Sequence, residues 1–194
     1  MKVEIRADKV IVEGYVNAVG RDSRVIPSPT GDFVEQVTPK TFERALRSGN
    51  DIELRLNHDR VLGSRNSGNL ELREDSIGLY ARAEVTDLET MEKAQKGELR
   101  GWSFGFFKKK DRLELLENGL HRRFLEEIEL REVSILDSRR TPAYVGTSIE
   151  VRGQEESVLE QRGREDMPDV TTKSLGYADR KKEIEILRLR GART

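Results

Sequence analysis

The chain contains no cysteine among its 194 residues, which excludes a disulfide framework, a thiolate metal site and cysteine-nucleophile chemistry. Histidine occurs only at His58 and His121, so a metal site would have to lean on carboxylates, and no H-E-x-x-H, EF-hand or Walker A spacing is present. No apolar run approaches the ~18 residues of a membrane span. Met1 to Arg6 alternates charged and apolar residues where a leader would carry an apolar block. Charge of one sign is also missing: 35 Lys+Arg against 36 Asp+Glu leave a net charge of -1, with no overall pull toward nucleic acid or an anionic membrane. The expectation is a soluble protein with no cofactor, metal, nucleic acid or membrane as partner.

What the chain has in quantity is charge, 37% of residues against 35% hydrophobic. The length allows one domain with a core and an extension. Residues 152–194 read as a charged, flexible C-terminal tail, because Glu155 to Asp166 offers little apolar content and Met167-Pro168 breaks a helix. Residues 1–151 are expected to form the folded domain.

Within that domain, alternation in Lys2 to Arg6 and Lys9 to Val16 predicts two strands joined at Ala7-Asp8. Residues 20–32 hold Gly20, Pro27, Pro29 and Gly31 and read as a surface loop. Thr38-Pro39 opens a short helix carrying Phe42, Ala45 and Leu46, which Gly49 ends. Ile52, Leu54 and Leu56 then form an inward row whose period of two continues to His58. Strands follow at Leu70-Leu72 and Leu79-Val85, and Thr86 to Glu89 spells a capping box for a helix that Gly97 ends. Asn118-Gly119 is a hairpin signal ahead of a strand through Phe124. Ile128 and Leu130 bring Glu132 to the inward face. Val133 and Ile135 reverse that parity, so this strand is either buried on both faces or bulged near Glu132. The pattern is mainly β with peripheral helices.

The candidate chemistry centres on Gly101-Trp102-Ser103-Phe104-Gly105-Phe106, where the aromatics share one strand face and Ser103 the other, open one. The glycines on either side would let a ligand backbone approach. A serine hydroxyl needs a base, and neutral imidazole is the usual one near pH 7. His58 ends an inward row, whereas His121 belongs to a hairpin with Arg122 and Arg123. Glu132 is the candidate to orient His58, with Asp137, Glu129 and Asp59 as competitors. The G-x-S-x-G match does not make an α/β-hydrolase elbow, because Phe107 and Lys108-Lys109-Lys110 lead into strand-like sequence instead of a helix. That lysine run, followed by Asp111, reads as a solvated strand end rather than a nucleic-acid contact.

The order of Leu56-Asn57-His58-Asp59, Gly101 to Phe106, Leu130-Arg131-Glu132-Val133-Ser134-Ile135-Leu136 and Pro142-Ala143 resembles the prohead (capsid maturation) proteases of tailed phages of the HK97 type. The resemblance extends over roughly residues 10–150 and includes Gly14-Tyr15 and Gly78-Leu79. That family is similar to the herpesvirus assemblins, which implies an α+β fold built on a closed β-barrel with surrounding helices. It implies Ser103 as nucleophile, His58 as general base and Glu132 in the place of the assemblins' second histidine, with backbone oxyanion donors at Arg139 and Arg140. It further implies a homodimeric serine endopeptidase that cleaves the scaffold segment of the capsid protein, and itself, inside immature proheads in the host cytoplasm. A catalytically inactive assembly or scaffolding protein with the same barrel is the alternative, and a nucleic-acid-binding barrel using the lysine run is a third.

Overall fold

The computed structural model describes residues 1–144 and 158–159. The first half of the chain forms strands β1 (Lys2–Ile5), β2 (Val10–Ala18) and β3 (Phe33–Val37), helix α1 (Thr41–Arg47), and strands β4 (Glu53–Leu56), β5 (Arg60–Ser64), β6 (Leu70–Glu74) and β7 (Gly78–Val85). Helix α2 (Leu88–Gln95) follows, then β8 (Leu99–Leu115), β9 (His121–Asp137), β10 (Arg140–Thr141) and β11 (Val158–Leu159). Asn118-Gly119 reverses the chain as its sequence demands, with Gly119 at φ 85°, and so makes β8 and β9 a long antiparallel hairpin. The expected tail, 152–194, lies outside the described residues apart from β11, which pairs in parallel with β10.

One sheet runs β1-β2-β7-β6, and the other runs β3-β9-β4-β5 with β8 on the free side of β9. Neither closes, so the barrel implied by the resemblance is not what the chain forms. The physical reason lies at the margins. Where β5 and β6 approach, the Asn69 side chain donates to Leu62 O at 3.0 Å and Glu84 O at 3.1 Å and accepts from Ser64 N at 3.0 Å. A side-chain amide, and not a backbone ladder, makes the connection there. Gly63, at φ 148°, makes room for it, since a Cβ there would meet Asn69 Oδ1 at 2.1 Å. At β8, the Trp102 ring reaches toward Gly14 of β2, whose Cβ would lie 3.5 Å from Trp102 Nε1.

The core between the layers draws on Val10, Val12, Leu54, Leu56, Leu79, Ala81, Trp102, Phe104, Val133 and Ile135. Phe104 sits at its centre, edge-on to Phe42 at 5.2 Å and stacked on Phe106 at 5.4 Å and Tyr144 at 5.9 Å. Both helices start later than their local signals suggest. The first-turn amides of α1 are capped from β6, where the Glu74 carboxylate accepts from Lys40 N at 2.6 Å and Glu43 N at 2.5 Å. Helix α2 is capped by Asp87 rather than Thr86, with Oδ1 accepting from Thr90 N at 3.0 Å and Thr90 Oγ1 at 2.9 Å.

A charged cluster lies inside at the hairpin end. Arg123 and Glu35 are both 0% exposed and paired at 3.1 Å, Arg123 Nε also reaches Asp111 at 3.1 Å, and Tyr144 OH donates to Glu35 at 2.8 Å. These bonds tie β3, β8 and β9 to the chain at residue 144. The lysine run is consumed by carboxylates, Lys108 with Asp111 at 3.4 Å, Lys109 with Glu129 at 3.7 Å and Lys110 with Glu126 at 2.8 Å.

Candidate active site

Register builds the site. Strand β9 pairs with β4 in parallel, matching Glu53 with Glu132, Leu54 with Val133, Arg55 with Ser134 and Leu56 with Ile135. On its other side β9 pairs with β8, matching Trp102 with Ile135, Ser103 with Ser134, Phe104 with Val133 and Gly105 with Glu132. Side chains opposite one another share a face. Leu54, Leu56, Trp102, Phe104, Val133 and Ile135 therefore face the core, while Ser103, Ser134, Arg55 and Glu132 share the other face.

The parity change near Glu132 is a bulge. Pairing passes from Gly105–Glu132 to Phe106–Leu130, so Arg131 is the extra residue. This keeps Phe106 and Leu130 in the core and turns Glu132 toward the serine face. Ser103 is 3% exposed, so that face is covered and not open as its sequence suggests. Gly105 also serves a different purpose from ligand approach, because a Cβ there would meet Glu132 Cγ and Oε1 at 2.7 Å.

His58 does not continue the inward row of Leu54 and Leu56. Asn57 at φ 54° and His58 at φ 67° both take left-handed backbone, which ends the strand's period of two and swings the ring onto the serine face. The turn is held at each point. Asn57 N donates to Ile135 O at 2.8 Å and its Oδ1 accepts from Asp137 N at 3.0 Å. His58 N donates to Ser134 Oγ at 2.8 Å, and His58 O accepts from Arg55 Nη1 at 2.9 Å. The ring then meets the carboxylate, with Nδ1 hydrogen-bonded to Glu132 Oε1. Glu132 is 8% exposed, and its Oε2 is 2.9 Å from Arg55 Nε.

A carboxylate that accepts from Nδ1 selects, for a neutral imidazole, the tautomer whose lone pair is on Nε2. Ser103 is the cross-strand partner of Ser134, whose hydroxyl anchors the His58 amide. Serine, imidazole and carboxylate thus lie on one face within adjoining strands. Gly105→Ala should push the Glu132 carboxylate off the ring, and we expect any His58-dependent turnover to fall about tenfold to a hundredfold. Kinetics beside a circular dichroism spectrum check it, and unchanged kcat in a folded variant would contradict it.

The competing carboxylates are engaged elsewhere. Glu129 pairs with Arg131 at 3.0 Å, and Asp59 reaches Arg140 at 3.7 Å from an exposed position. Asp137 accepts from Arg139 N at 3.0 Å and pairs with Arg139 Nη2 at 2.9 Å and Lys93 Nζ at 3.1 Å. It therefore ties the segment after β9 to α2 and, through Asn57, to the His58 turn. Of the amides expected as oxyanion donors, that of Arg139 is the one given to Asp137, while Arg140 starts β10. His121 stands at the start of β9 opposite Phe33 and Leu115, at the far end of the hairpin from Ser103.

Burial pushes the Asp137 carboxyl up, but the hydrogen bonds from Arg139, Asn57 and Lys93 outweigh it and hold the group well below the usual carboxylate range. A depressed folded pKa contributes stability above the unfolded value, about 3.9, and loses it as pH falls through the lower folded value. Asp137→Asn is therefore expected to cost about 2–3 kcal/mol at neutral pH. The difference from the unsubstituted chain should shrink only below about pH 4, in urea titrations at stepped pH.

A groove of about 520 Å³ flanks the site beside Asp51, Glu53, Arg55, Gly105, Phe107 and Glu132. A second of about 370 Å³ lies beside Leu56, Asn57, Asp59, Arg60 and Arg139. Sequence reasoning did not single out Arg55, Asn57, Ser134 or the role of Gly105. Only Ser134, polar between Val133 and Ile135, stands out in the local pattern. No curated protein and no solved structure matches the chain. A match does come from the caudovirus prohead serine proteases, and because it runs over residues 1–161, taking in Ser103, His58 and Glu132 together, the chain belongs to that family.

Proposed function

We propose that this chain is the serine endopeptidase that cuts the scaffold segment of the phage capsid protein, and itself, inside the immature prohead. The observation that carries the reading is the His58 Nδ1–Glu132 contact on the strand face shared with Ser103. A carboxylate on Nδ1 fixes the tautomer, orients the ring and stabilises the imidazolium formed when Nε2 takes the serine proton. Ser103 Oγ attacks the peptide carbonyl, and the oxyanion is held by backbone N–H groups of the Arg139-Arg140 segment. Because the Arg139 amide donates to Asp137, we assign Arg140 the main part. His58 then hands its proton to the leaving amine, and water, deprotonated by the same ring, hydrolyses the acyl-enzyme.

Residues 1–151 form the protease domain in this reading, and 152–194 serve capsid incorporation or self-removal, with the active species a homodimer. A fluorophosphonate that reacts with activated serines tests the nucleophile directly. Mass spectrometry should place the adduct on Ser103, and a Glu132→Gln chain should label far more slowly. An adduct on another serine, or none on a chain that does cleave capsid protein, overturns the assignment.

A further inference from the structure

We propose that Arg55 is a positioning residue for the proton relay, fixing the Glu132 carboxylate and the His58 turn relative to one another. The inference rests on the reading of His58 as general base. One guanidinium meets three groups: Nε lies 2.9 Å from Glu132 Oε2 and 2.7 Å from Glu53 Oε2, Nη2 is 2.5 Å from Glu53 Oε2, and Nη1 donates to His58 O at 2.9 Å. The first contact is a charge contact, since the single Nε–H donates to Glu53; it sets the positive charge beside the carboxylate oxygen that faces away from the imidazole and so holds that side of Glu132 toward Arg55 while its other oxygen meets the ring.

The contact to His58 O acts on the backbone. His58 holds φ 67°, a conformation that a non-glycine residue keeps only when its surroundings impose it. Ser134 Oγ grips the residue by its amide and Arg55 by its carbonyl. Glu53 steadies the guanidinium from its own strand, two residues before Arg55. An ordinary surface ion pair has none of these consequences. Glu132 is nearly enclosed, and a change in its angle passes straight to the ring it touches.

The planar fork is what the geometry uses. Its donors diverge in one plane and reach a carboxylate and a carbonyl together, whereas a lysine ammonium is a point charge on a flexible stem. Arg55→Lys keeps the charge without the fork, and Arg55→Gln removes both.

The test measures kcat and KM on capsid protein together with the downfield imidazole Nδ1–H resonance, the latter recorded in the Ser103→Ala background, where turnover plays no part. Arg55→Gln is expected to lower kcat about a hundredfold with KM within about twofold, and to broaden or shift the Nδ1–H resonance. Arg55→Lys should recover a part of kcat and fold normally, which keeps the test decisive if Arg55→Gln is poorly folded. Unchanged kcat with an unmoved resonance in a folded Arg55→Lys or Arg55→Gln chain overturns the proposal. If the unsubstituted chain shows no Ser103-dependent cleavage, the protease reading fails instead, and the resonance still reports whether Arg55 sets the His58–Glu132 contact.

Discussion

Ser103→Ala is expected to lower capsid-protein cleavage by about 10⁴- to 10⁶-fold while leaving the fold in place. With Ser103 as the proposed nucleophile, removing Oγ removes the atom that would form the acyl-enzyme and leaves only what binding and the proposed oxyanion donors would supply. The structural cost is small. The residue is buried opposite Ser134, alanine fits the same space, and the lost hydroxyl interaction is worth about 1 kcal/mol. His58→Ala should be nearly as severe, and Glu132→Gln should cost up to about 10⁴-fold, since an amide cannot hold the tautomer and charge that the carboxylate holds. If the three act as the proposed unit, combining Ser103→Ala with His58→Ala adds almost nothing. The measurement is appearance of the cut capsid protein on co-expression. Normal cleavage by Ser103→Ala would leave the chain as an assembly protein rather than a protease.

Glu35→Ala is expected to destabilise the chain by about 3–5 kcal/mol, the cost of stranding a charge in the interior. Arg123 is 0% exposed, and without Glu35 it loses a partner at 3.1 Å, while Asp111 at 3.1 Å and the face of Phe106 at 5.8 Å remain. Tyr144 would lose the acceptor for its hydroxyl at the same time, and with it a fixed place against Phe104. Urea unfolding should show the loss as a lower midpoint, with Tm reduced by about 10 °C. Replacing both partners, as Glu35→Met with Arg123→Leu, should recover most of the loss, because no charge is then left unpaired. A cost below about 1 kcal/mol for Glu35→Ala would mean that water reaches Arg123. The network joins β3 to the long hairpin, so its loss should loosen the end of the domain remote from Ser103.

Much of this molecule is legible in local chemistry. Alternation marks β1, β2, β6 and β7, Asn118-Gly119 marks the turn between β8 and β9, and the even positions of β8 mark Trp102, Phe104 and Phe106 as core. The parity reversal between Leu130 and Val133 announces the bulge, although only pairing with β8 identifies Arg131 as the residue squeezed out. The sequence offers His58 and Glu132 as candidates and the fold brings their side chains into contact, yet His58 does not get there along an inward row. A period of two holds only while the backbone stays extended, and Asn57 and His58 leave it. The expected start of α1 fails for a related reason, since its cap comes from Glu74, far along the chain.

Composition and pattern, acting over a few residues, determined by themselves that this is a β-rich chain with Ser103 on one strand face and an aromatic core on the other. The ordered His58, Ser103 and Glu132 motifs also sufficed to point to the family. Tertiary structure decided the rest. It set two sheets in place of a closed barrel, with the Asn69 side chain and not a backbone ladder bridging β5 to β7. It also gave Glu132 to His58, Asp137 to Arg139 and Lys93, and Arg55 to the carboxylate and the turn. The contacts of Glu132 with His58 and Arg55 depend on parallel register between β4 and β9, whose paired residues, such as Glu53 and Glu132, lie 79 apart in the sequence, and no local preference carries that distance.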